Sequence, residues 1–293
     1  MMKVITLYFS AIRLLFLKWK AWVVVFLTNL LFALLIATPF GRLLDKVAAN
    51  SEAPLVGLQH FDIDFIADIV NNYGTELQLI SGQILLYVSL YLLLNIFLAG
   101  GLIDSYVYLF KRFTLSDFLS NCAQHFWRLF RLALYFVVTQ IVVVVALLTV
   151  YTKMGISPFE LDSDQELISR TRLLIIAFIV LFAWIDMVLE YAKVRLVVQE
   201  RKGFILPQLI KMKFYILRHF IPILFLYILC AMTFALIVKL YSMANGAFSM
   251  GSMSAIIFTV LIGQFFLFLK VGSRLLFTTA AVDYLRASEW GER

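Results

Sequence analysis

The stretch LALYFVVTQIVVVVALLTVY, residues 132–151, decides the fold of this chain. It runs for 20 residues without a charged side chain, which is the length that a helix needs to cross a bilayer core of about 30 Å. The four consecutive valines at 142–145 would favour a strand in water. In lipid, however, a single apolar segment can pair its own backbone groups only as a helix. The stretch therefore predicts a transmembrane helix.

Five further stretches of this kind occur, and the composition agrees with them. Of the 293 residues, 63% are hydrophobic and only 15% are charged, which is not the balance of a soluble globular domain. The alternating pattern of a lipid-facing barrel strand is absent. We expect one all-α integral membrane domain, residues 1–293, with six transmembrane helices at 21–38, 84–103, 132–151, 173–189, 220–238 and 255–269, the last of them extending in both directions.

The distribution of charge predicts the orientation. The N-terminal segment, the second and fourth loops and the C-terminus hold 19 of the 25 Lys and Arg residues, whereas the other three loops hold 6. Positive residues are retained preferentially on the cytoplasmic side, so both termini are predicted to be cytoplasmic. The net charge of +7 thus does not require a nucleic acid partner, because anionic lipid headgroups at the inner face of the membrane would balance it.

The N-terminus could in principle be a cleavable signal peptide. Arg13, Lys18 and Lys20 interrupt its apolar run, and the stretch that follows is long enough to span, so a retained first helix is favoured. Cys122 and Cys230 have no partners at metal-ligand spacing, and neither a disulfide nor a metal site is implied.

An amphipathic segment precedes each odd-numbered span, at 5–20, 116–131 and 207–219, and we expect these segments to be interfacial helices. In addition, FTLSDFL at 113–119 aligns with FILPQLI at 204–210, and a basic pair precedes each. The pattern suggests a threefold internal repeat of interfacial helix, outward span, outer loop and inward span, although apolar helices also resemble one another by chance. A short helix near 61–70 is predicted in the first outer loop.

Five ionisable residues fall within or at the end of spans, where charges are costly. Asp104 ends the second span, Asp186 and Glu190 lie four residues apart on the fourth, and Lys270 and Arg274 lie four residues apart on the sixth. One interpretation joins them in a polar cluster that binds an ion, a proton or a lipid headgroup. The other, which we favour, makes them boundary charges or structural ion pairs, with Lys193 and Arg195 satisfying Glu190 locally; the sequence leaves both open.

Other polar and small residues in the spans are expected to be structural. Asn29, Asn95, Gln140 and Gln264 are predicted to form hydrogen bonds between helices, and Gly100, Gly101 and Gly263 to permit close helix approach. The three histidines have no ligand partners at suitable spacing, and no phosphate loop, nucleophile elbow or HExxH motif occurs. We therefore expect no catalytic activity, no cofactor and no metal.

Two segments carry a resemblance: FLAGGLIDSYVYLFKRFTLSDFLSNCAQHFWRLFRLAL at 97–134 and DMVLEYAKVRLVVQERKGFILPQLIKMKFYILRHF at 186–220. The Gly-Gly pair before an aromatic-rich helix end, the Phe-x-Leu-Ser-x-Phe loop start and the Tyr-Ala-Lys-Val-Arg helix end carry it. The chain resembles six-span bacterial membrane proteins of unknown function, similar to the membrane domain attached to some glycerophosphodiester phosphodiesterases. The resemblance implies a helical bundle of this type in a bacterial cytoplasmic membrane. It implies no catalytic residue, since no hydrolase domain is present.

The expected function is a non-enzymatic membrane module that associates with lipids, or with a protein partner or a second copy of itself, and organises or moves an amphiphilic substrate. The basic inner face and the repeated amphipathic segments point to it. A small transporter or channel is the alternative, and the clustering of charges at the inner side only argues mildly against it. An integral membrane enzyme is the third class.

Overall fold

The computed structural model describes residues 2–50, 71–108, 113–153, 164–198, 205–246 and 253–290. This part of the chain is all-α and holds eight α-helices and no strand. They are α1 (Met2–Leu17), α2 (Trp19–Asn50), α3 (Gly74–Val107), α4 (Leu115–Lys153), α5 (Asp164–Val198), α6 (Ile205–Arg218), α7 (Phe220–Gly246) and α8 (Met253–Leu285), followed by a π-helical turn, Arg286–Trp290.

Six of these helices are long and apolar enough to cross a membrane: α2, α3, α4, α5, α7 and α8. Each contains one predicted span, and α8 extends beyond its predicted window in both directions. The chain is thus a multi-pass membrane protein. We call the helix ends that the sequence predicts to be cytoplasmic the basic ends; they are the N-terminal ends of α2, α4 and α7 and the C-terminal ends of α3, α5 and α8.

The amphipathic segments differ in how they join their spans. A turn at Lys18 separates α1 from α2, and a turn at His219 separates α6 from α7. The segment predicted at 116–131 is not a separate helix, because α4 continues without interruption from Leu115 to Lys153. Its buried stripe of Phe118, Cys122, His125, Leu129, Leu132 and Phe136 keeps helical spacing across the expected boundary. Two of the three predicted repeat units thus share a helix–turn–helix start, and the repeat stays a prediction.

One compact unit comprises Met1–Trp22 and Ile96–Arg293, and its buried side chains gather towards the basic ends of the helices. Here α1 packs against α7 and α8, and α8 packs against α5 and α7. At Gly101 a Cβ atom would lie 2.7 Å from the Phe118 carbonyl oxygen, which confirms the predicted close approach of α3 and α4. The same expectation is wrong for Gly263, since nothing in the described structure lies within 4 Å of a Cβ there.

The second unit, Val23–Asn95, contains the rest of α2 and α3. The Tyr91 hydroxyl donates to Asn29 Oδ1 at 3.0 Å, which confirms that Asn29 bonds between helices. Asn95 instead donates to the carbonyl of Tyr91 in its own helix, at 2.8 Å, so the interhelical expectation is wrong for this residue. The helix predicted near 61–70 lies outside the described residues.

Candidate functional site

Glu190 connects two helices of the first unit near their basic ends. Its Oε1 atom pairs with Lys193 Nζ one turn further along α5, at 2.7 Å. Its Oε2 atom accepts a hydrogen bond from Thr278 Oγ1 of α8, at 3.1 Å. The expected local pairing of Glu190 is therefore present with Lys193, whereas Arg195 donates to Met212 Sδ of α6 at 3.4 Å. The second Glu190 oxygen links α5 to α8.

Asp186 lies one turn before Glu190 on the same face of α5, as the spacing of four residues requires. The Tyr227 hydroxyl of α7 donates to Asp186 Oδ2 at 3.2 Å, and the Tyr227 ring packs on Phe277 of α8 with 4.7 Å between ring centroids. Asp186 itself remains exposed on the surface of the helices. Three helices, α5, α7 and α8, thus meet beside an exposed carboxylate.

Arg274 and Lys270 lie one turn apart on α8, and both are exposed. Arg274 is near enough to Asp186 and Glu190 to interact electrostatically with both carboxylates. Within the described residues neither cation forms an ion pair within 4 Å with either carboxylate. The structure therefore brings Asp186, Glu190 and Arg274 together without direct contact between their charged groups. Lys270 lies one turn before Arg274 on α8.

Asp104 belongs to different surroundings. It is buried at the end of α3 and accepts a short hydrogen bond from Asn121 Nδ2 of α4. The pocket that it lines also holds Lys18, and the described residues of this pocket include none from α5 or α8. Lys18 donates to the Tyr108 carbonyl at 3.4 Å, and burial lowers the pKa of its ammonium group below the ordinary value. Asp104 therefore does not share the surroundings of Asp186 and Glu190.

The sequence analysis did not identify Arg286, whose guanidinium group caps the C-terminal end of α3. Arg286 Nη2 donates to the carbonyls of Tyr106 at 3.0 Å and Val107 at 2.7 Å, the last carbonyls of that helix. Its Nη1 atom pairs with buried Asp283 Oδ1 at 3.3 Å. The spacing of three residues between Asp283 and Arg286 was the available signal, but it does not indicate that the arginine reaches another helix.

A narrow cleft lies between α5, α7 and α8 and is continuous with the charged group. Glu190 and Tyr227 belong to both the cleft and the charged group. The remaining lining residues are Met187, Tyr191, Ile223, Leu226, Cys230, Phe277 and Ala280. Charges of both signs thus lie beside an apolar surface. An amphiphilic molecule has a polar part and an apolar part that correspond to these two surfaces.

In the part of the chain that the structure describes, no three His, Cys, Asp or Glu residues are placed to hold a metal ion. Cys122 and Cys230 are both free and buried.

Comparison of the chain with protein-family models, with curated proteins and with solved structures gives no match.

Proposed function

We propose that this protein is a non-enzymatic module of the bacterial cytoplasmic membrane that associates with the lipids of the inner leaflet and there holds or moves an amphiphilic molecule. The observation that carries the proposal is the exposed apolar stripe of α6. The buried residues of this helix, Leu209, Met212 and Ile216, fall on one face. A second apolar face, formed by Ile210, Phe214 and Leu217, is exposed, and Phe214 shows 68% of its surface.

Basic side chains flank the exposed stripe of α6. With 3.6 residues per turn, Lys211 and Arg218 fall on one side of the stripe and Lys213 on the other. A helix of this pattern lies in the membrane interface, where its apolar face enters the acyl region and its cations meet the headgroups. Each Lys or Arg near an anionic surface contributes about 1 kcal/mol of attraction. The flanking charges therefore favour anionic lipids over neutral ones.

The other two amphipathic segments repeat the arrangement. On α1, Phe9 and Phe16 are exposed on the face away from buried Ala11 and Leu15, and Arg13 lies beside them. On the first turns of α4, the exposed apolar residues include Leu115, Leu119 and Trp127. An amphipathic Trp ring suits the headgroup level of a bilayer. All three segments thus present a second apolar face at the basic ends of the spans.

The test places a fluorophore on α6 in protein reconstituted into nanodiscs. Because Cys122 and Cys230 are buried, a thiol introduced by Phe214→Cys is expected to be the reactive one. We expect a label at position 214 to be quenched by lipid-attached quenchers, whereas a label introduced by the matched control Lys211→Cys is quenched by iodide in the water. Equal access of iodide to both positions would contradict the proposal.

The lipid preference is tested by native mass spectrometry after gentle extraction. A variant carrying Lys211→Gln, Lys213→Gln and Arg218→Gln should retain fewer anionic lipids than the unaltered protein, while its neutral lipids stay the same. Unchanged retention of anionic lipids would show that α6 contributes nothing to lipid association. A bound protein partner in place of lipid would make the chain an assembly subunit and would overturn the proposal.

A further inference from the structure

We propose that Asp186, Lys270 and Arg274 form a binding site for one phospholipid whose headgroup carries both a phosphate and a primary ammonium. The inference rests on the lipid association proposed above and adds the chemistry of the bound molecule. The site lies on the faces of α5 and α8 beside Tyr227, where the exposed charges and the apolar cleft meet.

The three side chains are exposed on helices that cross the membrane, where an exposed charge is costly unless a polar group reaches it. Glu190 is already paired with Lys193 at 2.7 Å. Asp186, Lys270 and Arg274 form no ion pair within the described structure. They leave one negative and two positive charges facing outward, so the complementary ligand carries charges of both signs.

The depth of the site fits a headgroup. At 1.5 Å per residue, α7 is about 40 Å long and exceeds the hydrocarbon core by about 10 Å, or about 5 Å at each end if it is centred. Tyr227 lies seven residues after Phe220, which is about 10 Å from the basic end of the helix. The Tyr227 hydroxyl, and Asp186 with it, therefore lies about 5 Å inside the hydrocarbon boundary. Lys and Arg side chains at that depth extend towards the phosphates.

The residue types specify the two parts of the headgroup. The planar guanidinium of Arg274 can bind two phosphate oxygens at once, and Lys270 one turn away adds a second positive charge. Asp186 accepts one hydrogen bond, from Tyr227, and its carboxylate has further acceptor capacity for N–H donors. A primary ammonium provides such donors. A trimethylated ammonium has none, and a glycerol headgroup has no cation.

Apolar tracks lead from the charges towards the middle of the bilayer. On α5, exposed Ile175 and Ile179 lie eleven and seven residues before Asp186 and thus on the same face. On α8, exposed Val260 and Leu267 lie fourteen and seven residues before Arg274 and thus on its face of the helix. Acyl chains of a lipid whose headgroup sits at the charges would run along these side chains. A soluble phosphate compound has no acyl chains and would not contact these side chains.

The first experiment uses the protein that carries Lys211→Gln, Lys213→Gln and Arg218→Gln, because the anionic lipids expected at α6 then no longer add to the count. This protein is exchanged into mixed micelles containing equal amounts of ethanolamine, choline and glycerol phospholipids with identical acyl chains, and bound lipid is counted by native mass spectrometry. We expect one ethanolamine lipid to be retained at least about tenfold more than either of the others, the effect of one charge-assisted hydrogen bond. Soluble glycerophosphoethanolamine should not displace it. Equal retention of the three lipids, or displacement by the soluble compound, would overturn the inference.

The second experiment uses variants with a matched control. Arg274→Gln should lower retention of all phosphate lipids at this site, whereas Asp186→Asn should abolish the preference for ethanolamine over glycerol lipid and leave phosphate binding intact. Arg131→Gln removes another exposed cation of the basic ends and should change neither result. If lipid is retained and α6 lies in the interface but neither variant alters the headgroup preference, this site is refuted while the proposed function stands. If no lipid is retained by any form, both are refuted.

Discussion

Replacement of Gly101 by alanine tests the helix contact on which the buried end of α3 depends. A Cβ atom at this position would lie 2.7 Å from the Phe118 carbonyl oxygen and 2.5 Å from Cys122 Sγ, both on α4. The sulfur can turn away, but the carbonyl belongs to the backbone, so the two helices must separate. Overpacking of this kind typically costs about 1–3 kcal/mol of folding free energy.

Gly263→Ala provides the control, because nothing described lies within 4 Å of a Cβ at that position. Both substitutions replace a helical glycine, so both gain about 1 kcal/mol from the higher helix propensity of alanine. The gain cancels in the comparison, and the difference between the two variants isolates the packing term. We expect Gly101→Ala to be less stable than Gly263→Ala by about 1–3 kcal/mol.

The measurement is reversible unfolding in mixed micelles with increasing SDS, followed by tryptophan fluorescence and far-UV circular dichroism, from which the free energy of unfolding is obtained for each variant. Gly100→Ala should fall between the two, since its nearest obstacle is the Cβ atom of His125 at 2.9 Å. If Gly101→Ala and Gly263→Ala unfold at the same SDS fraction, the contact of α3 with α4 is not as close as described and the reasoning is refuted.

Three further predictions follow from the charged and sulfur groups. Arg286→Gln should lower the free energy of unfolding by about 2–3 kcal/mol in the same SDS titration, because it removes a charged donor and leaves Asp283 buried without its cation. A loss below about 0.5 kcal/mol, within the range of ordinary surface substitutions, would contradict this role. Glu190→Gln should cost about 1–2 kcal/mol in that titration, because it breaks the 2.7 Å ion pair on α5 and keeps the neutral acceptor for α8; an unchanged midpoint would show that the pair contributes nothing. Cys122 and Cys230 should resist maleimide in the folded protein and react after denaturation in SDS, since both thiols are buried, and rapid labelling of the folded form would contradict that burial.

The charged residues show the limit of the sequence reasoning. The spacing of Asp186 and Glu190 places them on one face of α5, because helix periodicity is local. Which residues face them depends on how α7 and α8 are rotated, and neither Tyr227 nor Thr278 carries a sequence signal for that role. Asp104 was grouped with them by its similar depth, yet its surroundings are formed by the start of α4 and by Lys18. The sequence thus predicts how deep in the membrane a residue lies, but it does not predict which helices surround that residue.

What the sequence determined by itself is the number of spans, their helical state and the amphipathic character of the segments that precede them. These follow from the bilayer, which requires a fixed apolar length and leaves each segment no backbone partner but itself. Only the tertiary structure shows that α4 is one continuous helix, whereas turns at Lys18 and His219 separate α1 from α2 and α6 from α7. It also shows that Arg286 caps the C-terminal end of α3. Those features arise from contacts between distant segments, where side-chain shape and the rotation of each helix select one partner among many of equal hydrophobicity.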